Sequence, residues 1–152
     1  MNRKKKRIVW IDDDINTPIL TPYVDEFEDN NFEIIKIESI DNLLPILKIE
    51  AKESLQAILV DIIMPYKHLG FGKTRGGLRT GLFVIKDILN EDSLKSIPII
   101  AITNGDDTYV KNYIINNCIP YIEKKSYFSN ELVAIVNKII VNGKIVNDND
   151  DE

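Results

Sequence analysis

Three aspartates, Asp12, Asp13 and Asp14, close a short apolar run, and Asp61 closes another. Thr103 and Lys124 stand in the same relation to two later apolar runs. Clustered carboxylates repel one another, and each is costly to keep ionised beside the next. A hard divalent cation relieves that repulsion, and Mg²⁺ suits the task because it takes oxygen ligands and keeps some of its water. With such a cation present, a carboxylate oxygen becomes a workable nucleophile toward a phosphoryl group. A lysine ammonium and a threonine hydroxyl supply hydrogen bonds to the transferred oxygens. Taken singly, an aspartate after a strand is an ordinary turn former or helix cap. As a set at equivalent strand ends, these residues are chemically complete for phosphoryl transfer to an aspartate.

That equivalence depends on the elements behind them. Residues 7–11, 32–37, 57–60, 97–102 and 119–122 read as strands, and the run at 57–60 is continuously apolar, as in a strand covered on both faces. Helical spacing lies between them. Ile19, Tyr23, Val24 and Phe27 form the first such face, with Pro18 and Pro22 suited to an early turn. Leu43, Leu44, Ile46 and Leu47 form the second, with Ser39 as N-cap and Pro45 shortening or bending the helix. Leu82, Ile85 and Leu89 follow, then Val110, Tyr113 and Ile114, then Leu132, Ile135, Val136 and Ile139, stopped near Gly143. Alternation of this kind predicts an α/β fold, a doubly wound five-stranded parallel sheet with helices on both faces. Ligands of such sheets collect at the carboxyl ends of the strands, where the aspartates, Thr103 and Lys124 fall.

The chain of 152 residues fits one domain, with 44% hydrophobic residues for a core and 28% charged residues for a soluble surface. Its net charge of −5 argues against a general binder of nucleic acid or anionic membrane. The single Cys118 cannot form an internal disulfide; it reads as a small, half-buried apolar residue, and a reducing cytoplasm is the natural setting. Residues 1–6 form a basic lead-in, and the apolar run behind them is too short for a signal peptide. No later stretch approaches a membrane span. Residues 143–152 read as an acidic, disordered tail, so residues 7–142 carry the fold and no output domain is expected after it.

Four segments carry a family resemblance. Ile8-Val9-Trp10-Ile11-Asp12-Asp13-Asp14 resembles the first strand and acidic pair of response-regulator receiver domains. Ile58-Leu59-Val60-Asp61-Ile62-Ile63-Met64-Pro65 resembles their phosphoacceptor motif, Met-Pro included. Ile99-Ile100-Ala101-Ile102-Thr103 looks like the strand bearing the switch hydroxyl, and Tyr121-Ile122-Glu123-Lys124 like the last motif, with Tyr121 at the aromatic switch position. The resemblance implies the flavodoxin-like strand order 2-1-3-4-5. It implies Asp61 as phosphoacceptor, with Mg²⁺ held by Asp12, Asp13, Asp61 and the Ile63 backbone carbonyl. Thr103 and Lys124 would contact the phosphoryl group, and Thr103 and Tyr121 would change position together as the switch. The implied partners are a sensor histidine kinase or phosphotransfer protein and an output protein reached by protein–protein contact, with no direct nucleic-acid or membrane role. The chain would be a monomer or weak homodimer, and a phosphoacceptor rather than an enzyme.

Three features depart from the family pattern. The segment 66–80 is a long insertion ahead of the matching glycine, Gly81, and carries five basic residues, Lys67, His68, Lys73, Arg75 and Arg79. Its Gly-Lys-Thr is not a phosphate loop, because the required first glycine would fall at Lys67. Asn104 follows Thr103 where the family favours a small residue. Lys125 replaces the proline that usually follows the lysine, which speaks against a cis peptide there.

Two other functions compete. A pseudo-receiver would keep the fold as a phosphorylation-independent interaction module, supported by Asn104, Lys125 and the insertion. A phosphatase of the haloacid dehalogenase type would read Asp12-Asp13-Asp14 as its Asp-x-Asp signature, but leaves Asp61 and its Met-Pro unexplained.

Overall fold

Runs of isoleucine and valine, stiff at χ1 and suited to a pleated surface, build the sheet. The computed structural model describes residues 4–149, with side chains to residue 142. Strands β1 (Lys6–Ile11), β2 (Phe32–Ile37), β3 (Ala57–Val60), β4 (Ile99–Thr103) and β5 (Tyr121–Glu123) are all parallel and lie in the order 2-1-3-4-5. β3 and β4 are buried along their whole length, whereas the edge strand β2 turns Glu33 and Lys36 to solvent. This is the doubly wound sheet that the apolar pattern predicts.

Helices cover both faces because each strand must return to the same edge by a right-handed crossover. The helices are α1 (Thr21–Asp29), α2 (Leu43–Glu50), α3 (Phe71–Thr74), α4 (Thr80–Leu89), α5 (Thr108–Asn116) and α6 (Ser129–Asn149). On one face, Val9, Ile58 and Val60 pack with Leu47 of α2, Ile85 of α4 and Ile114 of α5. On the other, Trp10, Leu59 and Ile102 pack with Phe27 of α1 and Val136 of α6. Two apolar layers thus clamp the sheet and fix where its strands end.

Local details differ from expectation. Asn42, not Ser39, precedes α2, and the Ser39 hydroxyl instead bonds the Asp41 side chain at 3.1 Å. Pro45 falls in the first turn of α2, where it removes no helical hydrogen bond. Leu20 is buried beside α1 while Ile19 is exposed, because Thr21 and Pro22 open the helix one step later than the spacing suggests. β1 takes in Lys6, whose ammonium donates to Asn137 at 3.1 Å, so the lead-in is one residue shorter; residues 1–3 lie outside the described residues. β4 and β5 begin two residues later than expected. Cys118 is exposed, at φ 57° just past the end of α5, where the left-handed turn carries its side chain outward. α6 does not stop at Gly143 but continues to Asn149. A glycine inside a helix costs only about 1 kcal/mol relative to alanine and does not end one by itself. The expected disordered tail is therefore helical as far as 149, and residues 150–152 lie outside the described residues.

Candidate functional site

Each candidate side chain is delivered by the end of a strand. The Asp12 N–H donates to Ile37 O at 3.0 Å, and the Asp61 N–H donates to Ile11 O at 2.9 Å, so the backbones after β1 and β3 run side by side. Asp12 folds back on its own turn, with Oδ1 accepting from the Asp14 N–H at 2.9 Å. This leaves Oδ2 for the Lys124 ammonium, which donates to it at 2.6 Å. The same ammonium reaches Asp61 Oδ2 at 3.3 Å, while Asp61 Oδ1 accepts from the Ile63 N–H, also at 3.3 Å. Asp12, Asp61, Thr103 and Lys124 are all buried. The Thr103 hydroxyl accepts from the Gly105 N–H at 3.2 Å and lies close enough to Asp61 to favour its charged form.

Burial dominates the electrostatics. It pushes the Asp61 carboxyl up from 3.8 to about 6, against the pull of Lys124 and with the help of the Asp12 charge. Burial also raises Asp13, reinforced by Asp14 and Asp12. For Lys124, burial works to depress the ammonium, but Asp61 and Asp12 together carry it above its usual value. One lysine therefore serves two buried carboxylates and leaves them short of positive charge.

That shortfall is the test of fit for a metal ion. Among the described residues, one group of candidate ligands converges, with carboxylate oxygens of Asp12, Asp13 and Asp61 all within 4.8 Å of one another. The donors are all hard oxygens at a partly open edge, which suits Mg²⁺ rather than a softer metal. His68, exposed on the 3-10 turn Lys67–Leu69, is not part of this group.

Tyr121 is partly buried, and its hydroxyl donates to Gly105 O at 2.8 Å, holding the loop that follows Thr103. Burial, then Glu123 and Asp106, raise its phenol above the ordinary value. A small cavity of about 60 Å³ lies between these residues and the insertion, lined by Thr103, Tyr121, Ile63 and Leu78 among others.

The insertion is organised at its base. Thr80 Oγ1 donates to Met64 O at 2.7 Å, the Met64 N–H donates to Gly77 O at 3.2 Å, and buried Thr74 donates through Oγ1 to Gly70 O at 2.7 Å. Gly81 then enters α4 so close to β3 that a Cβ would lie 2.1 Å from Asp61 O. A glycine is required there because the helix start touches the backbone carrying Asp61.

Sequence reasoning missed two connections. Arg79 forms a forked ion pair with Asp107, at 2.7 Å from Nε, and Asp107 also caps α5 by accepting from the Tyr109 N–H at 3.0 Å. Asn104 Oδ1 accepts from the Lys125 N–H at 2.7 Å, and the peptide bonds of the described residues, including Lys124–Lys125, are trans. Neither partner pair is adjacent in sequence, so no periodicity could have shown it.

No protein-family model matches the chain, and no curated protein matches it. Solved structures do. The chain is similar to a CheY-like response regulator receiver domain protein from Methanospirillum hungatei JF-1, at 17% identity and TM-score 0.69, over 92% of this chain and 97% of that one. It is similar to a signal receiver domain of a two-component histidine kinase from Clostridium thermocellum, at 18% identity and TM-score 0.67, over 89% and 97%. A response regulator from Desulfuromonas acetoxidans superposes at 16% identity and TM-score 0.65, over 89% and 96%. At these identities the likeness establishes a shared fold.

Proposed function

We propose that this chain, folded as receiver domains are, is itself a receiver that accepts a phosphoryl group on Asp61 and signals by protein–protein contact. The observation that carries the proposal is the meeting of Asp12, Asp61, Thr103 and Lys124 at one sheet edge, with Lys124 bonded to both carboxylates. The haloacid dehalogenase reading gives Asp61 no part, whereas here it sits at the centre.

Asp12, Asp13, Asp61 and the Ile63 carbonyl would hold Mg²⁺, which when bound would offset the negative charge gathered at the carboxylates. An Asp61 carboxylate oxygen then attacks phosphorus, forming a C–O–P linkage as the bond to the donor's leaving group breaks and that group departs with the electron pair. Lys124 follows the charge, since its ammonium already touches the acceptor and can bond a phosphoryl oxygen. Thr103 donates its hydroxyl to another oxygen, and in doing so gives up its interaction with Asp61 and pulls on the loop that Tyr121 holds at Gly105. The donor is a histidine kinase or phosphotransfer protein, and the chain turns over no substrate of its own. A cytoplasmic site of action follows from such a donor; no helix among the described residues is long and apolar enough to cross a membrane.

Beryllium fluoride, which mimics the phosphoryl group, tests the assignment by NMR titration. Mg²⁺-dependent shifts at the Thr103, Gly105 and Tyr121 amides are expected, and none in Asp61→Asn. Equal shifts in the variant, or none in the natural chain, would overturn it.

A further inference from the structure

The pairing of β4 with β5 ends at Thr103 and Glu123. One residue beyond Thr103, the side chain of Asn104 takes over. Its Oδ1 accepts from the Lys125 N–H at 2.7 Å, extending the tie between the strand ends past the last backbone pair. Lys125 is the second residue of the 3-10 turn Lys124–Ser126, whose leading N–H groups have no partner within the turn. Lys124 therefore lies between two fixed points, the Glu123 pairing before it and the Asn104 bond after it. The Tyr127 N–H, donating to Lys124 O at 3.3 Å, closes the turn.

Neither Asn104 nor Lys125 is buried, so the bond rescues no polar group from a dry interior. An exposed hydrogen bond of this kind adds little to stability. Its effect is geometric. The Lys124 ammonium must meet Asp12 at 2.6 Å and Asp61 at 3.3 Å from the end of a flexible stem. The backbone from which that stem starts is held by Asn104.

We propose that Asn104 is a positioning residue for phosphoryl transfer, acting through the Lys125 N–H to fix Lys124 against Asp61. The inference rests on the receiver function proposed above. It also makes Asn104 and Lys125 a matched pair rather than two separate departures, since a residue other than proline at 125 provides the N–H from which Asn104 accepts.

The test compares the full natural chain with Asn104→Ala and Asn104→Leu. Leucine keeps the bulk of asparagine without its acceptor, and alanine removes both. Three quantities are read: the rate of adduct formation from acetyl phosphate at saturating Mg²⁺, the affinity for Mg²⁺, and hydrogen exchange at the Lys125 amide. Both variants should slow the rate by about tenfold, short of the roughly hundredfold that a 1 Å misplacement can cost, because the lysine stem follows part of the shift. Mg²⁺ affinity should be unchanged, and the Lys125 amide should exchange faster in both. A leucine variant at the natural rate, an alanine variant as fast as or faster than the natural chain, or an unaltered Lys125 amide would overturn the inference. A natural chain that forms no adduct overturns the receiver function and this inference with it. Adduct formation at equal rates in all three chains overturns this inference alone.

Discussion

The Lys124 ammonium lies closer to Asp12 than to Asp61, at 2.6 Å against 3.3 Å, with both lysine and Asp12 buried. Among the described residues, the Lys124 ammonium is the cation bonded to both of these buried carboxylates. Removing one member of a buried ion pair typically costs about 3–5 kcal/mol, because the remaining charge is left uncompensated. Lys124→Met should therefore lose about 3 kcal/mol in chelator, and Mg²⁺ should restore much of it. Denaturant melts with and without Mg²⁺ decide this, and a loss that is small or the same in both conditions would count against it.

Asp61 makes the opposite contribution. Its carboxyl is raised from 3.8 to about 6 by burial, so the folded chain holds the proton more tightly than the unfolded one. Stability then falls as pH rises from 3.8 to about 6, and the penalty is complete above that window, amounting to roughly 3 kcal/mol at most. In chelator, Asp61→Asn should be more stable than the natural chain at neutral pH and lose that advantage below pH 3.8. A variant no more stable at neutral pH would show that Lys124 already compensates the charge.

Arg79 ties the insertion to the start of α5. The hydrogen bond from Arg79 holds Asp107 below its usual carboxylate value, so the contribution of Asp107 is present above 3.8 and lost as pH falls through the lowered folded value. Asp107→Ala removes both the ion pair and the helix cap and should cost about 2 kcal/mol, while Arg79→Ala should cost about 1 kcal/mol. Limited trypsin digestion offers a second readout, because Lys67, Lys73 and Arg75 stand in the insertion. Cleavage there should quicken in Arg79→Ala; an unchanged rate would mean that the loop is held by its base alone.

At Gly81 the margin is a single methyl group. A Cβ would lie 2.1 Å from Asp61 O and 2.5 Å from Ile62 Cα, both backbone atoms that cannot swing aside. Gly81→Ala should cost about 3 kcal/mol by overpacking and weaken Mg²⁺ binding by displacing Asp61. Calorimetry with a Mg²⁺ titration checks both, and a fully stable alanine variant would contradict the packing.

What was legible in the sequence follows from periodicity. β1, β3 and β4 are apolar and abruptly terminated, and so the apolar pattern alone puts Asp12, Asp61 and Thr103 at strand ends. The inner order of the insertion was not legible, because Thr74 and Thr80 organise it through hydroxyl bonds to carbonyls that leave no repeating pattern. Asn104 and Lys125 lie twenty-one residues apart, and only the alignment of β4 with β5 brings them together. The extent of α6 beyond Gly143 is not legible either, since a single glycine costs a helix too little to end it.

Intact mass after incubation with acetyl phosphate, with and without Mg²⁺, tests the central claim most directly. The natural chain should gain the mass of one phosphoryl group only when Mg²⁺ is present, and Asp61→Asn should gain none. An adduct that forms without Mg²⁺, or that persists in Asp61→Asn, would contradict the account.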